Sequence, residues 1–212
     1  MDKQTELAKL KNDLESRKDM PLIRSANDVV FGNGNPNAEI LFIGEAAGYH
    51  ESIEHKPFVG QAGKLLIKTM KENLGLDREQ VYITNIVKTR PPDNRDPTPE
   101  EIEAFRPYLD KEIEIISPKI IVTLGRYSMG KFISGVTISK IHGQARFYEL
   151  PTMNYKLIIF PMYHPAAALR AGSVMAQFVA DFGKLKILLG GNSGEVVKIE
   201  EKEKEPEQSS LF

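Results

Sequence analysis

Phe58, Asn85, His164 and the carboxylates Glu45 and Glu51 are side chains whose types could together hold a planar heterocycle and act on it. The amide of Asn85 both donates and accepts, the pattern needed to read an imide edge with two hydrogen bonds. Phe58, between Pro57 and Val59-Gly60, offers an aromatic face. His164 can meet developing negative charge as an electrophile or acid. Glu45 and Glu51 belong to a segment that begins Gly44-Glu45-Ala46-Ala47-Gly48, where small residues let backbone N–H groups approach a ligand. An aromatic platform, an amide and a histidine describe a nucleobase pocket better than a sugar or phosphate pocket.

Other chemistries fall away. The 212 residues include no cysteine, so there is no thiolate nucleophile, Cys-ligated zinc, disulfide or Cys-held iron–sulfur cluster. Gly60-Gln61-Ala62-Gly63-Lys64 has glycines too close together for a phosphate loop, and Leu65 stands where a Ser or Thr for magnesium belongs. The histidines lack the HExxH spacing, and no Gly-x-Ser-x-Gly elbow occurs. His50, His55 and His142 are read as surface residues. No metal and no cofactor are expected.

The elements that must position these groups follow from periodicity. Continuous apolar runs at 39–43, 81–87, 119–124 and 156–160 read as buried strands. Helical patterns occupy 2–16, 62–74, 99–116, a short stretch near 127–133 and 173–189, while 138–150 reads as irregular strand or hairpin. Thr98 and Glu101 form a capping box with Pro99 at the first helical position. Pro165, beside His164, is read as helix-incompatible. Such alternation predicts an α/β/α sandwich with a central parallel sheet. Ligands of such sheets collect beyond the carboxyl ends of the strands. Three polar segments lie at those ends: 44–51, 85–95 and 164–170. Residues 1–189 are read as one domain and 190–212 as a disordered acidic tail, rich in Gly, Ser, Glu and Lys.

The motifs Gly44-Glu45-Ala46-Ala47-Gly48-Tyr49-His50-Glu51, Pro57-Phe58-Val59-Gly60-Gln61-Ala62-Gly63-Lys64-Leu65-Leu66, Asn85-Ile86-Val87-Lys88 with Arg90-Pro91-Pro92 and Asn94-Arg95, and His164-Pro165-Ala166 resemble those of the uracil-DNA glycosylase superfamily. They are most similar to its family 4 enzymes of bacteria and archaea. The resemblance implies that family's three-layer sandwich with a four-stranded parallel sheet. It also implies hydrolysis of the N-glycosidic bond of uracil in DNA after the nucleotide is flipped out. Phe58 would stack on the extruded base, Asn85 would bind its O4 and N3–H edge and reject cytosine, and His164 would stabilise charge on O2. Glu45, Ala46 and Ala47 would line the pocket and hold the water, with Glu45 or Glu51 orienting it. Lys88, Arg90, Asn94, Arg95 and Arg170 would form a DNA-facing rim. A wedge for the gap left by the flipped base falls at Leu169 or Arg170, because the family's wedge position holds Ala168.

Family 4 enzymes usually carry an iron–sulfur cluster, and this chain departs from their pattern at the cluster cysteines, whose positions fall near Arg17 and Met20, at Thr89 and at about Phe105. These sites are expected to pack the N-terminal helix by apolar and polar contacts instead. Gly48 stands where stricter enzymes of the superfamily place Tyr against a 5-methyl group. Residues 195–207 carry six Glu against three Lys, so the formal charge of -1 divides into an acidic segment and a mildly basic body. Gln208-Ser209-Ser210-Leu211-Phe212 is similar to peptides that dock on sliding clamps, through Gln208, Leu211 and Phe212. A monomeric, cytoplasmic repair enzyme without membrane contact is expected, acting on uracil-containing DNA. The competing reading is a non-catalytic, clamp-recruited DNA-binding relative.

Overall fold

The structure, a computed structural model, describes residues 2–148 and 156–190 and the backbone of 197–198. Among the described residues seven strands, β1 (Asn33–Gly34), β2 (Ile40–Ala46), β3 (Tyr82–Val87), β4 (Ile120–Leu124), β5 (Arg146–Tyr148), β6 (Leu157–Met162) and β7 (Val197–Lys198), form one sheet in the order β1-β3-β2-β4-β6-β5-β7. The four inner strands β3-β2-β4-β6 run parallel. These are the four expected from the apolar runs. β1 and β5 join this parallel core antiparallel, β1 on β3 and β5 on β6, so 33–34, expected as loop, is a strand; β7 lies parallel beyond β5. The expected tail, with Gln208, Leu211 and Phe212, lies outside the described residues apart from Gly190 and β7.

Both faces of the inner strands are covered because their side chains alternate between two apolar layers. Leu41 and Ile43 of β2 pack with Leu7 and Leu14 of α1 (Lys3–Ser16) and with Phe105, Leu109 and Ile113 of α4 (Pro99–Ile116). Ile40 and Phe42 point the other way, to Leu66 and Met70 of α3 (Gln61–Leu74) and to Phe178, Phe182 and Leu185 of α8 (Gly172–Leu189). The helix ends obey local chemistry. Thr98 Oγ1 accepts the Glu101 N–H at 3.2 Å, and the Glu101 carboxylate accepts the Thr98 N–H at 2.9 Å. Gly75, at φ 71°, closes α3 in the left-handed region that glycine enters freely.

Shorter helices complete the fold: α2 (Tyr49–Glu54), α5 (Arg126–Gly130), α6 (Ile138–Ile141) and α7 (Pro165–Arg170). The irregular strand or hairpin expected at 138–150 is corrected in its first part, where Ile138–Ile141 is a helical turn; Arg146–Tyr148 enters the sheet as strand β5, and 149–150 lie outside the described residues. Pro165 is corrected as well. It opens α7, because the first helical position needs no N–H and suits its fixed φ. Among the described residues no helix is long and apolar enough to cross a membrane.

α1 is fastened where the resemblance places cluster cysteines. Met20 and Phe105 are buried in the same apolar cluster as Leu7 and Leu14. Arg17 Nη1 donates to the Tyr108 hydroxyl at 3.2 Å, and that hydroxyl donates to Asp13 at 2.7 Å. Thr89 is fully buried. With Arg, Met, Thr and Phe at these positions and no thiolate in the chain, the residues do not fit an iron–sulfur cluster.

Candidate active site

From β2 the chain passes to β3 on one side, and β4 and β6 lie on the other, so a crevice opens beyond the carboxyl ends of β2 and β4. A cleft of about 360 Å³ lies at these strand ends, and Glu45, Glu51, Phe58, Asn85 and His164 all line it. Residues from the three predicted strand-end segments therefore meet in one place.

Phe58 has a left-handed backbone, φ 55°, which a bulky side chain adopts only when its surroundings impose it. Glu51 imposes part of it by accepting the N–H groups of Val59 at 2.9 Å and Gly60 at 2.7 Å through Oε1. Arg78 donates to the carbonyls of Pro57 and Phe58. Gly63 of α3 packs so close that a Cβ there would lie 2.1 Å from the Phe58 carbonyl. On the opposite side, a Cβ on Gly44 would lie 2.3 Å from Asn85 Oδ1 and 2.6 Å from the Phe58 ring. Glycine at 44 is what lets ring, strand end and amide converge.

Asn85 pairs with Gly44 in the sheet register and is 1% exposed. Its Oδ1 is buried and, among the described residues, has no hydrogen-bond partner. Leaving such an acceptor unsatisfied costs about 1–3 kcal/mol, a cost that a ligand donor would relieve. His164 follows β6, with its ring centroid 5.7 Å from that of Phe58. Its Nδ1 accepts the Ala166 N–H at 3.1 Å, which in the neutral ring leaves the proton on Nε2. Loss of hydration lowers its pKa to about 4; Glu51 opposes this and Arg170 adds to it. Near neutral pH the ring is therefore an uncharged donor.

The two carboxylates differ in their engagements. Glu51 Oε1 is committed to the two loop amides, and Glu51 Oε2 faces Gly48. Glu45 Oε1 accepts a single bond, from the Tyr127 N–H at 3.2 Å. Burial raises the Glu45 pKa; the Tyr127 bond lowers it and the charge on Asp96 raises it. Ala46 and Ala47 line the cleft, but the Ala47 N–H already donates to the Thr89 carbonyl at 3.2 Å.

The predicted rim is corrected at Lys88. Its side chain is fully buried, ion-paired to the equally buried Glu112, and donates to Thr84 Oγ1 at 2.7 Å and to the Asn85 carbonyl at 2.9 Å. It cannot reach a phosphate, and it anchors the end of β3 from inside. Arg95 and Arg170 line the cleft and are exposed, although Arg95 is paired to Glu101 at 2.6 Å. Arg90 is partly exposed and donates to Asn94 Oδ1 at 2.7 Å. Of the wedge positions, Ala168 is buried, whereas Leu169 is 49% exposed and Arg170 is exposed. His142, read as a surface residue, is partly buried and bonded to the buried Asp181 at 2.7 Å.

Sequence reasoning missed the fourth strand end. Gly125, at φ 100°, follows β4 so close to Glu45 that a Cβ would lie 2.4 Å from Oε1, and Tyr127 supplies the N–H. The signal was available, since every parallel strand end of such a sheet borders the crevice and Leu124-Gly125 marks one. Arg78 gave no such signal, because its role depends on a contact twenty residues back in the chain.

Comparison with known proteins identifies the family. Residues 31–183 match the family described as the uracil DNA glycosylase superfamily. The chain is 48% identical over 189 residues to a type-4 uracil-DNA glycosylase of Sulfurisphaera tokodaii, covering 86% of this chain and 84% of that one. It is 50% identical over 164 residues to the type-4 enzyme of Saccharolobus solfataricus, covering 75% of each chain. With that of Archaeoglobus fulgidus it shares 43% identity over 175 residues, covering 80% of this chain and 86% of the relative.

Proposed function

Because the chain belongs to the uracil DNA glycosylase superfamily, we propose that it is a DNA repair enzyme that hydrolyses the N-glycosidic bond of uracil in DNA, leaving an abasic site. The observation that carries the reading is the convergence of Phe58, the unpartnered Asn85 amide oxygen and the neutral His164 ring on one cleft. A base inside a duplex cannot reach such a cleft, so the nucleotide must be extruded. Uracil then lies on the Phe58 ring. Asn85 Oδ1 accepts from N3–H and its NH₂ donates to O4; cytosine has the opposite polarity at both places. As the C1′–N1 bond breaks, the electron pair moves onto uracil, and His164 Nε2–H donates to O2 where charge collects. Water adds to the oxocarbenium-like C1′, and Glu45 takes up its proton. Glu51 holds the Phe58 loop in shape. The rim falls to Arg90, Asn94, Arg95 and Arg170, and the exposed Leu169 fills the gap left by the base.

Incubation with single- and double-stranded oligonucleotides containing one uracil, followed by alkali, gives strand scission at that position. Intact strands at stoichiometric protein would overturn the reading in favour of a non-catalytic DNA-binding relative. The chain is further proposed to act as a cytoplasmic monomer and to dock on a sliding clamp through Gln208, Leu211 and Phe212. The support for docking is the Gln-x-x-Leu-Phe pattern after an acidic run. Deleting 208–212 should abolish clamp capture and leave oligonucleotide cleavage intact, whereas unchanged capture would exclude that assignment.

A further inference from the structure

Immediately outside the cleft, the surface carries an aromatic ring that the chemistry above does not use. Tyr49 opens α2 directly after the cleft-lining Gly48, and it is 54% exposed. The Arg90 guanidinium lies over its ring at 5.1 Å from the centroid. Arg90 also donates through Nε to Asn94 Oδ1 at 2.7 Å, and Asn94 lines the cleft. Ring, guanidinium and cleft wall are therefore continuous. The Asn94 end of this chain lies in a loop that prolines stiffen, where Asp93 and Asn94 both hold left-handed backbone. Ile53, one turn further along α2, is 63% exposed and widens the apolar surface.

We propose that Tyr49, braced by Arg90, is a stacking platform for the nucleobase next to the extruded uracil. This rests on the glycosylase reading. Extrusion of one nucleotide strips a stacking partner from its neighbours, leaving a bare π-face beside the cleft mouth. Tyrosine with an arginine behind it binds such a face in a sequence-tolerant way, as aromatic side chains do on single-stranded nucleic acid. A phosphate would need only the cation; a ring kept exposed beside it calls for a planar partner. The site thus separates two tasks, with Phe58 receiving the base that is cut and Tyr49 the base that stays.

The test uses oligonucleotides carrying 2′-fluoro-2′-deoxyuridine, which resists hydrolysis, with 2-aminopurine placed on either its 5′ or its 3′ side. The wild-type chain quenches 2-aminopurine fluorescence at one of the two sides. Tyr49→Ala removes that quench and raises Kd about tenfold, and Tyr49→Phe retains both. Indistinguishable signals from wild type and Tyr49→Ala at both sides would overturn the platform. Cleavage of the ordinary uracil oligonucleotide is measured in parallel. Excision with Tyr49-independent fluorescence removes the platform alone, and a Tyr49-dependent quench without excision removes the enzyme and leaves the platform standing.

Discussion

His164 is the residue at which burial decides the chemistry. A charged imidazolium would attract the departing anion more strongly, but the ring is desolvated and its pKa lies at about 4. In the proposed reaction it therefore acts as a neutral donor, and the Ala166 N–H sets its direction. His164→Ala should lower kcat about 100-fold, the scale of losing one donor to developing charge, with a smaller effect on DNA affinity; equal turnover would remove the role. The same shift appears in stability. Because the folded pKa lies below the ordinary value near 6.5, the unfolded chain binds the proton first as pH falls. The stability that this ring carries is complete above pH 6.5 and is lost as pH falls towards 4. Between pH 7 and 4.5 the unfolding free energy from urea titrations should fall by on the order of 2 kcal/mol less in His164→Gln than in wild type. The role proposed for Glu45 sets the opposite need, since the carboxylate must be ionised to take up the proton of the water. Its raised pKa places the acid limb of the kcat profile above the usual carboxylate range, and Glu45→Gln should flatten that limb.

The strand ends set the geometry through what they leave out and what they hide. At Gly44 an added methyl meets both the Asn85 amide and the Phe58 ring, so Gly44→Ala should abolish excision while circular dichroism stays native. A fully active variant would show that the ring can move aside. Lys88 and Glu112 tie β3 to α4 inside the core, and the charge of each is tolerable only beside the other. Lys88→Met should cost about 3–5 kcal/mol, and Lys88→Met with Glu112→Leu should recover most of it in thermal melts. How far the fold was legible follows from the same elements. The four inner strands were plain because buried parallel strands are continuous apolar runs, and α4 because its capping box is local. Lys88 was misread as a rim cation because it stands between Asn85 and Arg90, while the carboxylate that claims it lies twenty-four residues away. The inward turn of Lys88 and the closeness of Gly125 to Glu45 are long-range facts with no periodic signature. Pro165 was misread because helix breaking was weighed and helix opening was not.

At the scale of the whole molecule, a near-neutral chain can still bind DNA because its charge is local. With Lys88 withdrawn into the core, the cations beside the cleft are Arg90, Arg95 and Arg170. If all three turn to phosphates they predict a slope of roughly −2 for log K against log salt on single strands, and a shallower one while Arg90 stays on Tyr49 and Arg95 on Glu101. Titrations at several salt concentrations should show that slope shrinking in Arg170→Ala and unchanged in Lys88→Met; the reverse pattern would return Lys88 to the rim. The seam between α1 and α4 has a consequence of another kind. Where α1 meets α4, Met20 and Phe105 pack as ordinary core and Arg17 bonds Tyr108, so that seam closes with groups that translation alone supplies. Maturation at that seam does not wait for iron–sulfur assembly. The closure of that seam therefore draws nothing from the iron supply of a cell.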